Sequence, residues 1–277
     1  MRSCINVLLI VMDFTTSGTT KKMFLDDTYL FTADALVVAF EKGEEENTGS
    51  LILDQTCFHA QGGGQPSDEG EIILSGGHNF TVKMVKTNEK QQLVHSGTSE
   101  SAALWDSLAA GETAASLKVD ESLRRKYARL HSAGHALDMA IRAVGYGERL
   151  VGVKGYHFLD SPNVEYLLKG EALTKDELDV LPGLLTAEMR RLVEADIPTI
   201  VLTIDKADVE GLCRDDLRNV DITNYPESIR MVSMCGMYIP CGGTHIKSSG
   251  EIGAGVNVHK IKKKKQMYKV SYTLGDQ

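Results

Sequence analysis

Between Ala35 and Gly97 five short apolar runs are cut apart by turn-forming clusters, and that pitch leaves few folds open. The runs ALVVAF, GSLILDQTCF, EGEIILS, NFTVKMVK and QQLVHSG are rich in apolar and β-branched residues. EKGEEENTG, QGGGQPSDEG, SGGH and TNEK separate them with Gly, Asn, Asp and Pro. Runs of this length bounded by such turns read as strands of one antiparallel sheet. At this spacing the sequence predicts a small antiparallel β-barrel over residues 23–105. SLAAGETAASL follows, rich in small residues, and residues 106–117 read as a connector.

The rest of the chain, residues 118–277, mixes helices with strands, so the fold class expected is α+β. ESLRRKYARLHSAGHALDMAIRAVG reads as a helix. Leu123, Tyr127, Leu130, Gly134, Leu137, Ile141 and Val144 fall on one face at helical period, and Gly145 and Gly147 are natural stops. LVGVKGYHFLD and NVEYLLKG look like strands. A second helix starts at Thr174, where T-K-D-E fits a capping box with Glu177. Pro182 inside that segment predicts a kink or a break. IPTIVLTI and SIRMVSM are strand-like, and EIGAGVNVHKI with QMYKVSYTL reads as a closing β-hairpin. The second domain is therefore expected to carry a mostly antiparallel sheet.

Composition narrows the function classes. With 42% hydrophobic and 25% charged residues over 277 positions, the chain is that of a globular protein with a sizeable core. A net charge of -8 argues against wholesale coating of nucleic acid, and DNA is not an expected partner. It leaves room for a local basic patch. The five cysteines are odd in number and irregularly spaced, which points to a reducing compartment, the cytoplasm, rather than to a disulfide framework. MRSCINVLLIVMDF has a short apolar run broken by Asn6. That run is far below a membrane span, and no small-residue cleavage pattern follows closely. Residues 1–22 are read as an N-terminal extension that leaves organelle targeting open, and no membrane association is expected.

Two pairs of metal-competent side chains stand out. His131 and His135 lie four apart on the expected helix, on adjacent turns and along the edge of its apolar stripe. Cys241 and His245 lie four apart in PCGGTH, where Gly242 and Gly243 permit a tight loop. Two ligands hold zinc poorly; the four together make a Cys/His₃ set suited to one tetrahedral Zn²⁺ ion. Taken singly, each pair reads equally well as solvent-edge or packed side chains. Cys235 is a rival ligand, and a Cys–His nucleophilic dyad on Cys241 is a rival chemistry.

TCFHAQGGGQPSDEGEI, RLHSAGHALDMA and PCGGTHIKSSGEIG occur in that order. They resemble the motifs of the free-standing alanyl-tRNA editing proteins, in their medium-sized form, and of the editing domain of alanyl-tRNA synthetase. The resemblance implies a glycine-rich-motif barrel followed by a zinc-containing α/β editing domain. It implies a trans-editing hydrolase that cleaves the aminoacyl ester of mischarged tRNA(Ala), chiefly carrying serine, with glycine as a second substrate. His131, His135, Cys241 and His245 match the zinc-coordinating positions. Thr56 matches the threonine that senses the serine hydroxyl, and Gln65 a glutamine at the active site, here assigned a catalytic role. One departure stands in the loop: where the family reads F-Y-P-E, this chain has Phe58, His59, Ala60 and Gln61.

The chemistry accounts for the need for such a site. A pocket built for alanine rejects neither an added hydroxyl nor a smaller side chain well. A second site that hydrogen-bonds the hydroxyl gains roughly 1–3 kcal/mol per group, since alanine leaves that group unpaired. Gly62, Gly63 and Gly64 let backbone approach the ester or terminal ribose. Arg124, Arg125, Lys262, Lys263 and Lys264 are expected on tRNA phosphates. Two alternatives remain from sequence. One is a catalytically inactive, zinc-stabilised tRNA-binding module. The other is a metal-dependent hydrolase of small esters or peptides, weakened by the lack of a glutamate between His131 and His135.

Overall fold

The computed structural model of the chain describes residues 18–213 and 222–275, with the side chains of 210–213 excluded. It forms two compact units. One holds the described residues up to Gln61 together with Ser67–Arg124; the other holds Gly62–Pro66 with Arg125 onward. Most of the expected N-terminal extension, residues 1–17, lies outside the described residues.

The first unit is a closed six-stranded antiparallel barrel. Its strands are β1 (Thr32–Lys42), β2 (Thr48–Leu53), β3 (Gly70–Leu74), β4 (His78–Thr87), β5 (Leu93–Ser99) and β6 (Ala114–Val119), in the spatial order β1-β2-β5-β4-β3-β6. Alternate residues point inward, as a half-buried strand requires. Val37, Leu51, Leu53, Ile72, Phe80, Val82, Val85, Leu93 and Leu117 are almost wholly buried. In β4 the inward set slips from Phe80 and Val82 to Val85, and the register shift between Val82 and Met84 explains it: a bulge inserts one residue and moves the next side chains to the other face.

The stretch read as a connector contributes a barrel strand. β6 pairs with β1 on one side and β3 on the other, closing the ring. Its small residues hide the alternation, yet Ala115 and Leu117 are buried while Ala114 and Ser116 are exposed. Residues 18–22 also belong to this unit. Lys21–Lys22 pair in parallel with Gln55–Thr56. Buried Thr20 donates to Leu53 O and accepts from Leu93 N, both at 3.0 Å.

In the second unit, helix α1 (Glu121–Ala143, its first turn grouped with the barrel) and helix α2 (Lys175–Glu194) supply the long apolar faces. A four-stranded antiparallel sheet runs β12 (Asn257–Lys264), β13 (Met267–Thr273), β8 (Asn163–Leu168), β7 (Leu150–Tyr156). A three-stranded antiparallel sheet joins β9 (Ile200–Asp205), β10 (Ser228–Met234) and β11 (Met237–Pro240). A short helix, α3 (Lys206–Cys213), follows β9. The fold is α+β, with sheets that are antiparallel apart from the two-residue pair in the first unit. Leu137 and Ile141 of α1, Leu181, Leu185 and Met189 of α2, and Tyr268 and Val270 of β13 share one core.

The capping box at α2 forms as read. Thr174 Oγ1 accepts from Glu177 N, and Glu177 Oε2 accepts from Thr174 N at 2.7 Å. The break expected at Pro182 does not occur; α2 runs through it. Proline in a helix interior costs about 3 kcal/mol, but Leu181, Leu185, Met189 and Leu192 bury one continuous face around it. Packing of that face outweighs the local preference. Among the described residues no helix is long and apolar enough to cross a membrane.

Candidate metal centre

The two sequence pairs converge. The ligand atoms of His131, His135, Cys241 and His245 all lie within 4.8 Å of one another. Cys241 Sγ is 3.5 Å from His131 Nε2, 3.8 Å from His135 Nε2 and 3.3 Å from His245 Nε2. His131 and His135 Nε2 are 3.1 Å apart. Helix periodicity places the first pair. The second pair sits just after β11, where Cys241 N donates to Arg230 O and the Arg230 guanidinium donates to the carbonyls of Cys241 and Gly243.

The partner on the far side of the His131 ring selects its tautomer. Thr244 N, a donor, lies 3.0 Å from Gln65 Oε1, which identifies that atom as the amide oxygen. His131 Nδ1, 2.7 Å from the same oxygen, therefore carries its proton, and Nε2 is left with a lone pair facing the cluster. Gln65 Nε2 donates to Thr244 Oγ1 at 2.7 Å. His245 Nδ1 faces Ser132 Oγ at 3.4 Å, and His135 Nδ1 faces the Asp138 carboxylate at 3.9 Å. An imidazole held at Nδ1 with Nε2 directed inward, as His131 is, is the arrangement by which metal-ligating histidines are oriented. The donor set thus fits a zinc ion.

Burial tunes the same groups. Desolvation, then the charge of His157, draws His135 down to about 3, so its ring is neutral and able to ligate. Desolvation pushes the Cys241 thiol up, against the Gly243 N–H and the Arg230 charge, which lower it. Asp138 is raised to about 6 by burial, while the Tyr166 hydroxyl donates to it at 2.7 Å. His131 and His245 are 2% and 3% exposed, while His135 and Cys241 are only part-buried. The cluster therefore opens on the His135–Cys241 side. Sequence placed His131 at the edge of a stripe. The small residues Ala128, Ala133, Ala136 and Ala140 of α1 are buried as well, so the buried surface of the helix extends beyond that stripe.

Several expected site residues lie elsewhere or act differently. Gln65 is fully buried, its Oε1 accepting from Thr244 N and His131 Nδ1 and its Nε2 donating to Thr244 Oγ1, so it orients the ligand group. Gly64 does allow a close approach, but to protein: a Cβ there would lie 2.3 Å from Gly155 O. Gly62 and Gly63 are exposed on the turn that Gly62 N and O close with Gln65 O and N. Arg124 is wholly buried in the first unit and cannot reach a phosphate. It forms an ion pair with Asp68 and donates to Thr28 O at 2.7 Å and Cys57 O at 2.6 Å. Arg125, Lys262, Lys263 and Lys264 are exposed. Cys235, the rival ligand, is buried in the hydrophobic core of the second unit.

Thr56 is also enclosed in the first unit, at 0% exposure. Its Oγ1 is 2.9 Å from His95 Nε2 and accepts from Phe58 N at 3.1 Å. His95 Nδ1 faces the Leu51 carbonyl at 3.2 Å, so Nδ1 donates, Nε2 accepts, and the Thr56 hydroxyl donates to it. The one hydroxyl hydrogen of Thr56 is thus committed to His95. Desolvation lowers the His95 pKa from 6.5 to about 4. Folding therefore favours the neutral ring. This contribution is complete above pH 6.5 and is lost as pH falls from 6.5 to 4, where the unfolded chain binds the proton first. Replacing His95 by Gln is expected to remove up to about 3 kcal/mol of that acid-side slope. The check is urea unfolding of parent and variant at pH 7 and pH 4.5; equal slopes for the two would refute the assignment.

Sequence reading missed Ser132, Asp138, His157, Thr244 and Tyr272. Ser132 and Thr244 sit inside the two motifs, and Asp138 lies one turn beyond His135. His157 and Tyr272 carry no sequence signal, because only the β7 end and β13 bring them to α1.

Comparisons agree with the motifs. A family model for class II (A) tRNA synthetases matches residues 19–121, which is the barrel and stops short of His131. The alanyl-tRNA editing protein AlaX-L of Pyrococcus horikoshii is 26% identical over 257 residues, covering 92% of this chain and 58% of that protein. The alanine–tRNA ligases of Chlamydia muridarum and Nitrosomonas europaea are 28% and 31% identical over 214 residues each. These alignments cover 77% and 76% of this chain, but only 22% and 23% of the ligases. The chain thus spans under two thirds of one relative and about a quarter of the others. The three motifs and these matches make the chain a relative of the alanyl-tRNA editing proteins and of the corresponding part of alanine–tRNA ligase.

Proposed function

We propose that the chain is a zinc-dependent aminoacyl-tRNA deacylase that hydrolyses the ester of mischarged tRNA(Ala), chiefly Ser-tRNA(Ala), with Gly-tRNA(Ala) as a second substrate. The observation that carries this is the convergence of His131, His135, Cys241 and His245 within 4.8 Å in a chain with editing-protein relatives. His131 and His245 form the enclosed side of the group and His135 and Cys241 the approachable side. A bound zinc ion supplies Lewis acidity toward an ester carbonyl or acidifies a water. The chain's own residues do the rest. Gln65 holds the His131 ring in one tautomer, and Ser132 faces the His245 ring. The exposed Gly62–Gly63 backbone admits the terminal ribose and ester. Arg125, Lys262, Lys263 and Lys264 contact tRNA phosphates. The expected compartment is the cytoplasm.

One observation favours the alternative of a non-catalytic, zinc-stabilised tRNA-binding module: four protein ligands complete a tetrahedron, as in structural zinc sites. Deacylation of Ser-, Gly- and Ala-tRNA(Ala), with and without a chelator, separates the two. Release of serine well above that of alanine, abolished by chelation and restored by zinc, is expected. Zinc and tRNA binding without release would establish the module instead.

A further inference from the structure

Two glycines on different elements leave room for a single histidine. A Cβ on Gly134 of α1 would lie 2.3 Å from His157 Cε1, and one on Gly155 of β7 would lie 2.2 Å from His157 Nε2. A side chain at either position displaces the ring. The His157 ring is 4% exposed and lies nearly parallel to that of His131, with centroids 4.9 Å apart and planes at 20°. Its Nδ1 is 2.8 Å from the Tyr272 hydroxyl, which donates its one hydrogen to Leu130 O at 2.8 Å. His157 Nδ1 is therefore the donor to Tyr272. The His157 main-chain N–H donates to Gly64 O at 2.8 Å, beside Gln65. The residue is thus tied at its backbone to the turn carrying Gln65, and at its ring to the residue preceding His131. An aliphatic side chain would fill the same space with no polar group to satisfy, so simple packing does not account for an imidazole held this way.

We propose that His157 is a positioning residue for the metal group: stacked flat on His131, it sets the plane of that ring. Gln65 constrains His131 through one hydrogen bond at Nδ1, about which the ring can still swing. A near-parallel ring with its centroid 4.9 Å away limits that freedom and keeps His131 Nε2 directed at Cys241 and His135. Tyr272, Gly134 and Gly155 hold His157 in place. This inference rests on the metal reading above.

The test is zinc affinity by competition with a chromophoric chelator, and the visible spectrum of the cobalt(II) form, on the full chain. His157→Ala is expected to bind zinc at least about tenfold more weakly, in line with the loss of partners that orient metal ligands, and to shift the cobalt bands. Gly134→Ala is expected to do the same, and the double variant to be no worse than the weaker single, because both remove one contact. His157→Phe, which keeps a ring for the stack but loses the Tyr272 bond and adds bulk, is expected to retain more of the affinity than His157→Ala. Parent-like zinc affinity and cobalt spectrum in folded His157→Ala overturn the inference while leaving the metal reading intact. So do fully additive losses in the double variant. Should Gly134→Ala not fold, the two His157 variants decide alone. A parent that takes up neither metal overturns the metal reading, and this inference with it.

Discussion

Arg124→Ala is expected to destabilise the first unit by about 3–5 kcal/mol, the cost of leaving one partner of a buried ion pair uncompensated. The guanidinium and the Asp68 carboxylate are both fully buried. Arg124 Nε lies 3.0 Å from each Asp68 oxygen, and Asp68 Oδ2 also accepts from His59 N at 2.6 Å. Removing the cation leaves the carboxylate without its counter-charge and takes a charged donor from the carbonyls of Thr28 and Cys57. The group ties both ends of the glycine-rich loop to the start of α1. Chemical denaturation of parent and variant checks the value, and a loss under about 1 kcal/mol would show that the pair is dispensable. Replacing Asp68 by Asn in the Arg124→Ala background is expected to recover part of the loss, since the stranded charge is then gone.

Cys241→Ser is expected to lower zinc affinity by more than about a hundredfold, beyond the cost of removing an orienting partner, because a hydroxyl replaces the one soft anionic ligand of the set. Serine release from Ser-tRNA(Ala) is expected to fall with it. Desolvation raises the pKa of the thiol, so metal uptake must expel its proton and weaken as pH falls. Elemental analysis after purification, followed by titration with zinc, reads the effect. A variant that still holds one equivalent of zinc tightly would remove Cys241 from the ligand set and reopen the case for another donor.

The metal group was legible in sequence because each half of it is local. His131 and His135 follow from helix period, Cys241 and His245 from a glycine-containing loop, and the chemistry of the four donors joins them. What the neighbours do was not legible. Gln65 reads as a substrate-facing residue of a glycine-rich loop, yet its amide is closed off by His131 and Thr244, a hydrogen-bond pattern with partners 66 and 179 residues away. Thr56 and Arg124 read as polar residues beside motifs; burial takes Arg124 away from phosphates, its guanidinium committed to Asp68, and pairs the Thr56 hydroxyl with His95. Polar side chains are mostly exposed, so a sequence argument assigns them to ligands by default, and only coordinates reveal the partners that make burial tolerable.

Local pattern alone determined five of the six barrel strands, the amphipathic face of α1, the capping box of α2 and the residue types able to bind zinc. These depend on side-chain period and on turn and cap chemistry, which act over a few residues. Tertiary structure decided that Ala114–Val119 closes the barrel, that α2 continues through Pro182, and that His157 lies flat on His131 between two glycines. Each of those outcomes is set by contacts between residues far apart in the chain, where packing and burial outweigh local preference.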